Sequence, residues 1–199
     1  MSSFDSRARE WDKDKMHMER SIAIAAELEK MIPLDHSMKV LEYGAGIGIL
    51  SFLLKDRFSE IILMDSSQEM IKVCLEKADY FQADHMKPIW FDLEHSDYPS
   101  TFDLIYNQMV LHHINDIETI FNKFYSLLNA GGYLAIADLF PEDGSFHGPN
   151  VNVHLGFDPQ LLKSTLESIG FKNIEYTACF EIKRESGKKF PVFLLVAKK

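Results

Sequence analysis

Cysteine is scarce in this sequence: Cys74 and Cys179 are the only two among 199 residues. They stand far apart, and neither has a neighbour at metal-ligand spacing. A disulfide framework and a cysteine metal knuckle are both excluded, both thiols read as small core residues, and no metal site is expected. Long apolar runs are missing too. No stretch approaches the ~20 residues that span a bilayer, and the opening MSSFDSRAREWDKDK lacks the apolar segment of a secretory leader. The expected location is the cytoplasm, without a membrane partner. Basic charge is in deficit: 21 Lys and Arg stand against 30 Asp and Glu, a net charge of −9. An acidic surface repels phosphate backbones, so nucleic acid is not expected as a partner. Repeats and low-complexity tracts are absent, and nothing in the sequence sets the oligomeric state.

Hydrophobic residues make up 46% of the chain and charged residues 26%, the balance of one globular domain with a sizeable core. Met18, Ile22, Ala25, Ala26 and Leu28 recur at helical spacing, which predicts an amphipathic helix over 15–32 that Pro33 ends. Beyond it, apolar runs alternate with helical stretches. Strands are predicted over 39–43, 61–65, 88–92, 102–107 and 133–138, with helices over 47–55, 68–78 and 116–128. Uninterrupted apolar strands suit a sheet covered on both faces. Strand–helix alternation implies parallel neighbours and right-handed crossovers. Residues 139–157 carry two prolines and three glycines and read as a long loop of the kind that is usually functional. A helix over 158–169 follows, then strands over 171–183 and 190–197, joined by RESGK as an antiparallel hairpin.

A parallel sheet binds ligands beyond the carboxyl ends of its strands. There the first strand runs into glycines, in VLEYGAGIGIL (40–50). Gly44, Gly46 and Gly48 let a backbone approach a ligand. The dinucleotide fingerprint would want a glycine at 49, where Ile49 stands. Asp65, about 20 residues past the first glycine, is placed to accept from ribose hydroxyls, which nicotinamide cofactors and S-adenosylmethionine share. Glu42 separates the two: a carboxylate beside the loop would repel a pyrophosphate and suits a sulfonium or ammonium. Asp92, in WFDLE, can accept from an adenine amino group beside Leu93.

With those residues in place, the sequence resembles the class I S-adenosylmethionine-dependent methyltransferases, through VLEYGAGIG, LMDSSQEM, WFDLE, FDLIYNQMVLHHI and LLNAGGYLAIAD in order. It is most similar to small single-domain members that act on small molecules. The resemblance implies an α/β fold: a three-layer, doubly wound, seven-stranded and mostly parallel sheet whose antiparallel last strand inserts beside the fifth. It implies S-adenosylmethionine as cofactor, with Gly44, Gly46 and Glu42 lining the methionine end. Asp65 would bind the ribose, Asp92 and Leu93 would hold the adenine, and Asn107 would sit near the methionine moiety and the transferred methyl; Gly48 and Ser66 are further cofactor-binding candidates. Met70 is either an adenosine contact or a core residue.

Acceptor chemistry is less constrained. The prolines and aromatic that follow the fourth-strand polar residue in nucleic-acid amino methyltransferases are absent, as are the clustered cysteines of arsenic methyltransferases. His112 is the candidate base in LHHI, with a hydrogen-bonded structural role as the alternative. His147 and His154, in the long loop, and Trp11 are candidate acceptor contacts. The expected organisation is an N-terminal helical segment, 1–32, able to act as a lid through Phe4 and Trp11, and a cofactor domain, 33–199. The expected activity is methyl transfer to a small molecule. The alternatives are a non-catalytic module that binds S-adenosylmethionine and a nicotinamide-dependent oxidoreductase.

Overall fold

The computed structural model describes residues 5–148 and 151–199. Phe4 lies outside them. Seven strands form one sheet: β1 (Lys39–Tyr43), β2 (Glu60–Asp65), β3 (Met86–Trp90), β4 (Phe102–Gln108), β5 (Leu128–Leu139), β6 (Lys172–Lys183) and β7 (Lys189–Lys198). Their order is β3-β2-β1-β4-β5-β7-β6. The pairs from β3 to β5 are parallel, and β7 runs antiparallel to both β5 and β6. The chain is therefore a Rossmann-like sheet with an antiparallel C-terminal strand inserted beside the fifth, as the family resemblance implied.

Five α-helices flank the sheet: α1 (Lys15–Met31), α2 (Ile49–Leu53), α3 (Gln68–Tyr80), α4 (Ile117–Leu127) and α5 (Pro159–Ile169). Side chains alternate across each strand, and the alternation divides the core in two. Val40, Ile61, Leu63, Leu104 and Ala135 pack with Ile24 and Leu28 of α1, Leu50 of α2 and Cys74 of α3. Leu41, Ile62, Met64, Ile105 and Leu134 pack with Phe121 and Phe124 of α4 and Leu162 and Leu166 of α5. The continuous apolar runs of the sequence are needed because both faces are covered. Cys74 is buried and Cys179 half-buried, both as free thiols. Among the described residues no helix is long and apolar enough to cross a membrane.

Three boundaries differ from those read off the sequence. The helix expected over 47–55 is only Ile49–Leu53, because Gly48 holds a left-handed conformation (φ 78°) that delays its start. The third strand lies two residues earlier, at Met86–Trp90, and its pairing with β2 ends where Trp90 meets Asp65. Pro88 is tolerated because β3 is an edge strand. Asp92 consequently belongs to the turn after the strand. The fifth strand begins at Leu128 rather than Tyr133, with a register irregularity opposite Phe102 and Leu104.

Candidate active site

Strand order reverses between β1 and β4, and a cleft of about 250 Å³ opens beyond the carboxyl ends there. Asp65, Ser66, Met70, Phe91, Asp92, Leu93 and Glu94 line one part of it, and Trp11, Arg20, Gly44, Gly46, Gln108, Met109, Val110 and His113 contribute elsewhere. The floor is the glycine loop. Gly44 has φ 67°, and a Cβ there would stand 2.4 Å from Val110 Cγ2. Loop and β4 turn approach that closely only because the side chain is missing. The loop is tied to β2 by Gly46 N–H, which donates to Asp65 Oδ2 at 2.7 Å. Asp65 Oδ1 accepts from Ser67 N–H at 2.8 Å, and the Ser67 hydroxyl caps α3 by accepting from Met70 N–H. Two backbone donors thus fix the Asp65 carboxylate at the cleft.

The cleft brings together seven of the ten residues assigned to a cofactor from the sequence: Gly44, Gly46, Asp65, Ser66, Met70, Asp92 and Leu93. Met70 and Leu93 are buried and also belong to core clusters. The Asp92 carboxylate is exposed and occupied by the amide of Glu94 and Nδ1 of His95.

Glu42, Gly48 and Asn107 are not brought to the cleft wall. Glu42 is fully buried, and its Oε2 accepts from the amide and hydroxyl of Ser51, whose hydroxyl also meets that of Tyr106. Burial pushes the Glu42 carboxyl up to about 8, opposed by those Ser51 hydrogen bonds. At neutral pH it is therefore mostly an uncharged acid beneath the loop. A Cβ on Gly48 would lie 2.7 Å from Leu63 Cδ2, so Gly48 serves helix–sheet packing. Asn107 is buried in β4 with both amide atoms unpartnered.

Two residues that the sequence did not single out shape the opposite wall. Arg20 of α1 is 6% exposed and lines the cleft. Its Nε has no hydrogen-bond partner, and its one hydrogen bond is a long contact from Nη1 to Met16 Sδ at 3.8 Å. Burial lowers its guanidinium to about 10, opposed by the charges of Asp138 and Asp14. Gln108 accepts from the Ser21 hydroxyl at 2.9 Å. A helical pattern identifies α1, but only the packed sheet reveals that this face of it reaches a ligand cleft.

The histidines segregate. His113 lines the cleft, whereas His112 is buried and engaged with Asp138 Oδ1 through Nδ1 at 2.7 Å. His147 packs against both, with ring centroids 4.9 Å from His112 and 5.2 Å from His113. Burial lowers His113 to about 4, helped by His112 and His147, and burial likewise lowers His147. His154 stands apart: its amide donates to the His112 carbonyl, and its Nε2 meets the Ile114 carbonyl at 2.9 Å. Trp11 stacks on His17 with centroids 4.5 Å apart and closes another side of the cleft.

The strand order, with β7 antiparallel between β5 and β6 and a glycine-floored cleft at the switch point, defines a Rossmann-like fold. Residues 16–176 match the family described as methyltransferase domain, and the chain belongs to that family. An uncharacterized methyltransferase of Schizosaccharomyces pombe is 28% identical over 155 residues, covering 69% of this chain and 55% of that protein. Phosphoethanolamine N-methyltransferase 3 of Arabidopsis thaliana is 33% identical over 114 residues, covering 56% of this chain and 23% of the plant enzyme. The chain thus spans under two thirds of the length of either relative. In fold it matches a SAM-dependent methyltransferase of Aquifex aeolicus, with a TM-score of 0.72 and 16% identity over 98% of this chain and 97% of that one.

Proposed function

We propose that this protein transfers a methyl group from S-adenosylmethionine to a small acceptor that carries an anionic group, with the anion seated on Arg20. The observation that carries the acceptor class is the buried guanidinium on the cleft wall with an unpartnered Nε. Asp138 and Asp14 act on Arg20 through their charge, but among the described residues no carboxylate forms a salt bridge with it. A carboxylate or phosphate on the acceptor would supply a direct partner through charge-assisted hydrogen bonds. The plant relative is named for an acceptor of that kind, phosphoethanolamine.

The cleft suits the cofactor. Asp65, fixed on the cleft lining at the end of β2, would accept from the ribose hydroxyls. Met70 and Leu93 would flank the adenine, and the Gly44–Gly46 backbone would follow the methionine. Asp65, Asp92 and Glu94 make this side of the cleft acidic, which favours a cationic cofactor over a pyrophosphate. The cofactor supplies an electrophilic methyl on a neutral leaving thioether. The chain's own task is then to orient the acceptor and exclude water. Arg20 orients the anion, while His112, packed behind His113 and held by Asp138, positions rather than reacts. Trp11 and the 3-10 helix Asp5–Lys13 rest on Ile47, Ile49 and Met70, and this segment would act as the lid, with α1 itself part of the core.

Arg20→Gln tests the reading. With acceptors drawn from a panel of carboxylates and phosphates, KM should rise at least tenfold while affinity for S-adenosylhomocysteine stays unchanged. An unchanged KM for the acceptor would refute the anion seat.

A further inference from the structure

Next to the cleft, which His113 lines, three histidines converge. We infer that His112, His113 and His147 form a binding site for a divalent transition-metal ion of the zinc type, bordering the acceptor end of the cleft. Their ligand nitrogens all lie within 4.8 Å of one another. Three nitrogens around a tetrahedral ion at about 2.1 Å stand roughly 3.4 Å apart, so an ion would draw the rings together by an ångström or so.

The surroundings are those of a built site. His112 Nδ1 faces Asp138 Oδ1 at 2.7 Å, and the same carboxylate accepts from the amides of Leu139 and His112. A carboxylate behind one ring nitrogen fixes the tautomer and leaves Nε2 to coordinate. His147 Nε2 is buried and has no hydrogen-bond partner, an expensive state for an imidazole nitrogen that no ligand uses. Phe146 packs edge-on against His147 and His112, with centroids 4.8 and 6.4 Å away, and Arg184 covers its other surroundings at 4.6 Å.

Three neutral imidazoles suit zinc, nickel, copper or iron rather than magnesium or calcium. Three protein ligands leave a fourth position open, the arrangement of sites that bind a substrate or water rather than of closed structural ones. His113 lines the cleft, so the open position would face the acceptor. The ion's charge, beside Arg20, strengthens the case for an anionic acceptor. The location next to an acceptor rests on the methyl-transfer reading, but the ion site itself does not.

The test is calorimetric titration of untagged, chelator-treated full-length protein with zinc chloride, with and without each substitution. Wild type should take up about one equivalent saturably. His147→Ala, at a half-buried loop position outside the sheet and helices, should weaken binding roughly tenfold or more. Asp138→Asn should weaken it by about ten- to a hundredfold, as loss of an outer-shell partner does. His36→Ala, on the surface, should change nothing. Absence of one-equivalent binding in wild type, or equal binding by His147→Ala and wild type, would overturn the site. Because the readout is metal uptake, failure here leaves methyl transfer untouched, and failure of methyl transfer leaves the metal result standing.

Discussion

Gly46 and Asp65 are joined across the mouth of the cleft: the glycine amide donates to the carboxylate at 2.7 Å. One hydrogen bond locks the loop after β1 to the end of β2. It also fixes an acid on the lining of the cleft. Asp65→Ala should therefore weaken S-adenosylhomocysteine binding by roughly 2–4 kcal/mol, the loss of two charge-assisted hydrogen bonds. Calorimetry gives the number, and unchanged affinity would remove Asp65 from the site.

Glu42 predicts a pH dependence of stability. Its carboxyl titrates at about 8 when folded against an ordinary value of 4.5. Between those values the folded protein binds the extra proton. Stability is thus full below about 4.5 and declines as pH rises through about 8, by at most roughly 1.4 kcal/mol per unit. Glu42→Gln cannot ionise and should flatten that decline, so the variant gains on wild type at alkaline pH. Urea unfolding of both proteins across this range measures it. Parallel pH profiles would show that Glu42 is charged in the fold.

Gly44 and Gly48 should part company. Both have positive φ, so an added Cβ strains either. Gly48→Ala also collides with Leu63 and Cys74 and should lower stability by about 2–4 kcal/mol, while the folded fraction still binds cofactor. Gly44→Ala collides with Val110 on the cleft floor and should lose cofactor affinity as well. Thermal melts paired with calorimetry separate the two. Equal affinity in Gly44→Ala and wild type would argue against the floor assignment.

Arg20→Met should separate stability from function. Replacing a buried cation that lacks a salt bridge by an apolar chain of similar length is neutral or stabilising by about 1–4 kcal/mol. The melting temperature should hold or rise as acceptor KM climbs. A large drop in stability would mean that Arg20 is held by the fold and not kept for a ligand.

The lid carries its own prediction. Deleting residues 1–13 keeps the Asp14 cap of α1, which accepts from the Met16 amide, and should cut turnover while preserving the fold. Hydrogen exchange over 5–13 should slow when S-adenosylhomocysteine and acceptor bind. Unchanged turnover and identical exchange would make the segment a permanent surface turn.

Much of the framework was legible before any coordinates. Unbroken apolar runs such as IILMD announce strands buried on both faces, and the Gly-containing RESGK connection announces the closing hairpin. Asp65 and the first two glycines could be placed because their positions follow from a strand's end and the turn beyond it. Glu42 could not, because strand position does not say whether a side chain reaches the ligand or turns beneath the loop toward Ser51. Arg20 was invisible for a related reason: a lone arginine on an amphipathic helix reads as a solvated charge until packing encloses it. The partnership of His112, His113 and His147 joins residues about 35 positions apart in a loop without periodicity. Only the fold of that loop could reveal it.

The most direct measurement of the central claim is a pair of calorimetric titrations of the wild-type protein, one with S-adenosylhomocysteine and one with NAD. Saturable one-to-one binding of S-adenosylhomocysteine, abolished or greatly weakened in Asp65→Ala, with no heat from NAD, is the predicted result. Binding of NAD in place of S-adenosylhomocysteine would contradict the account.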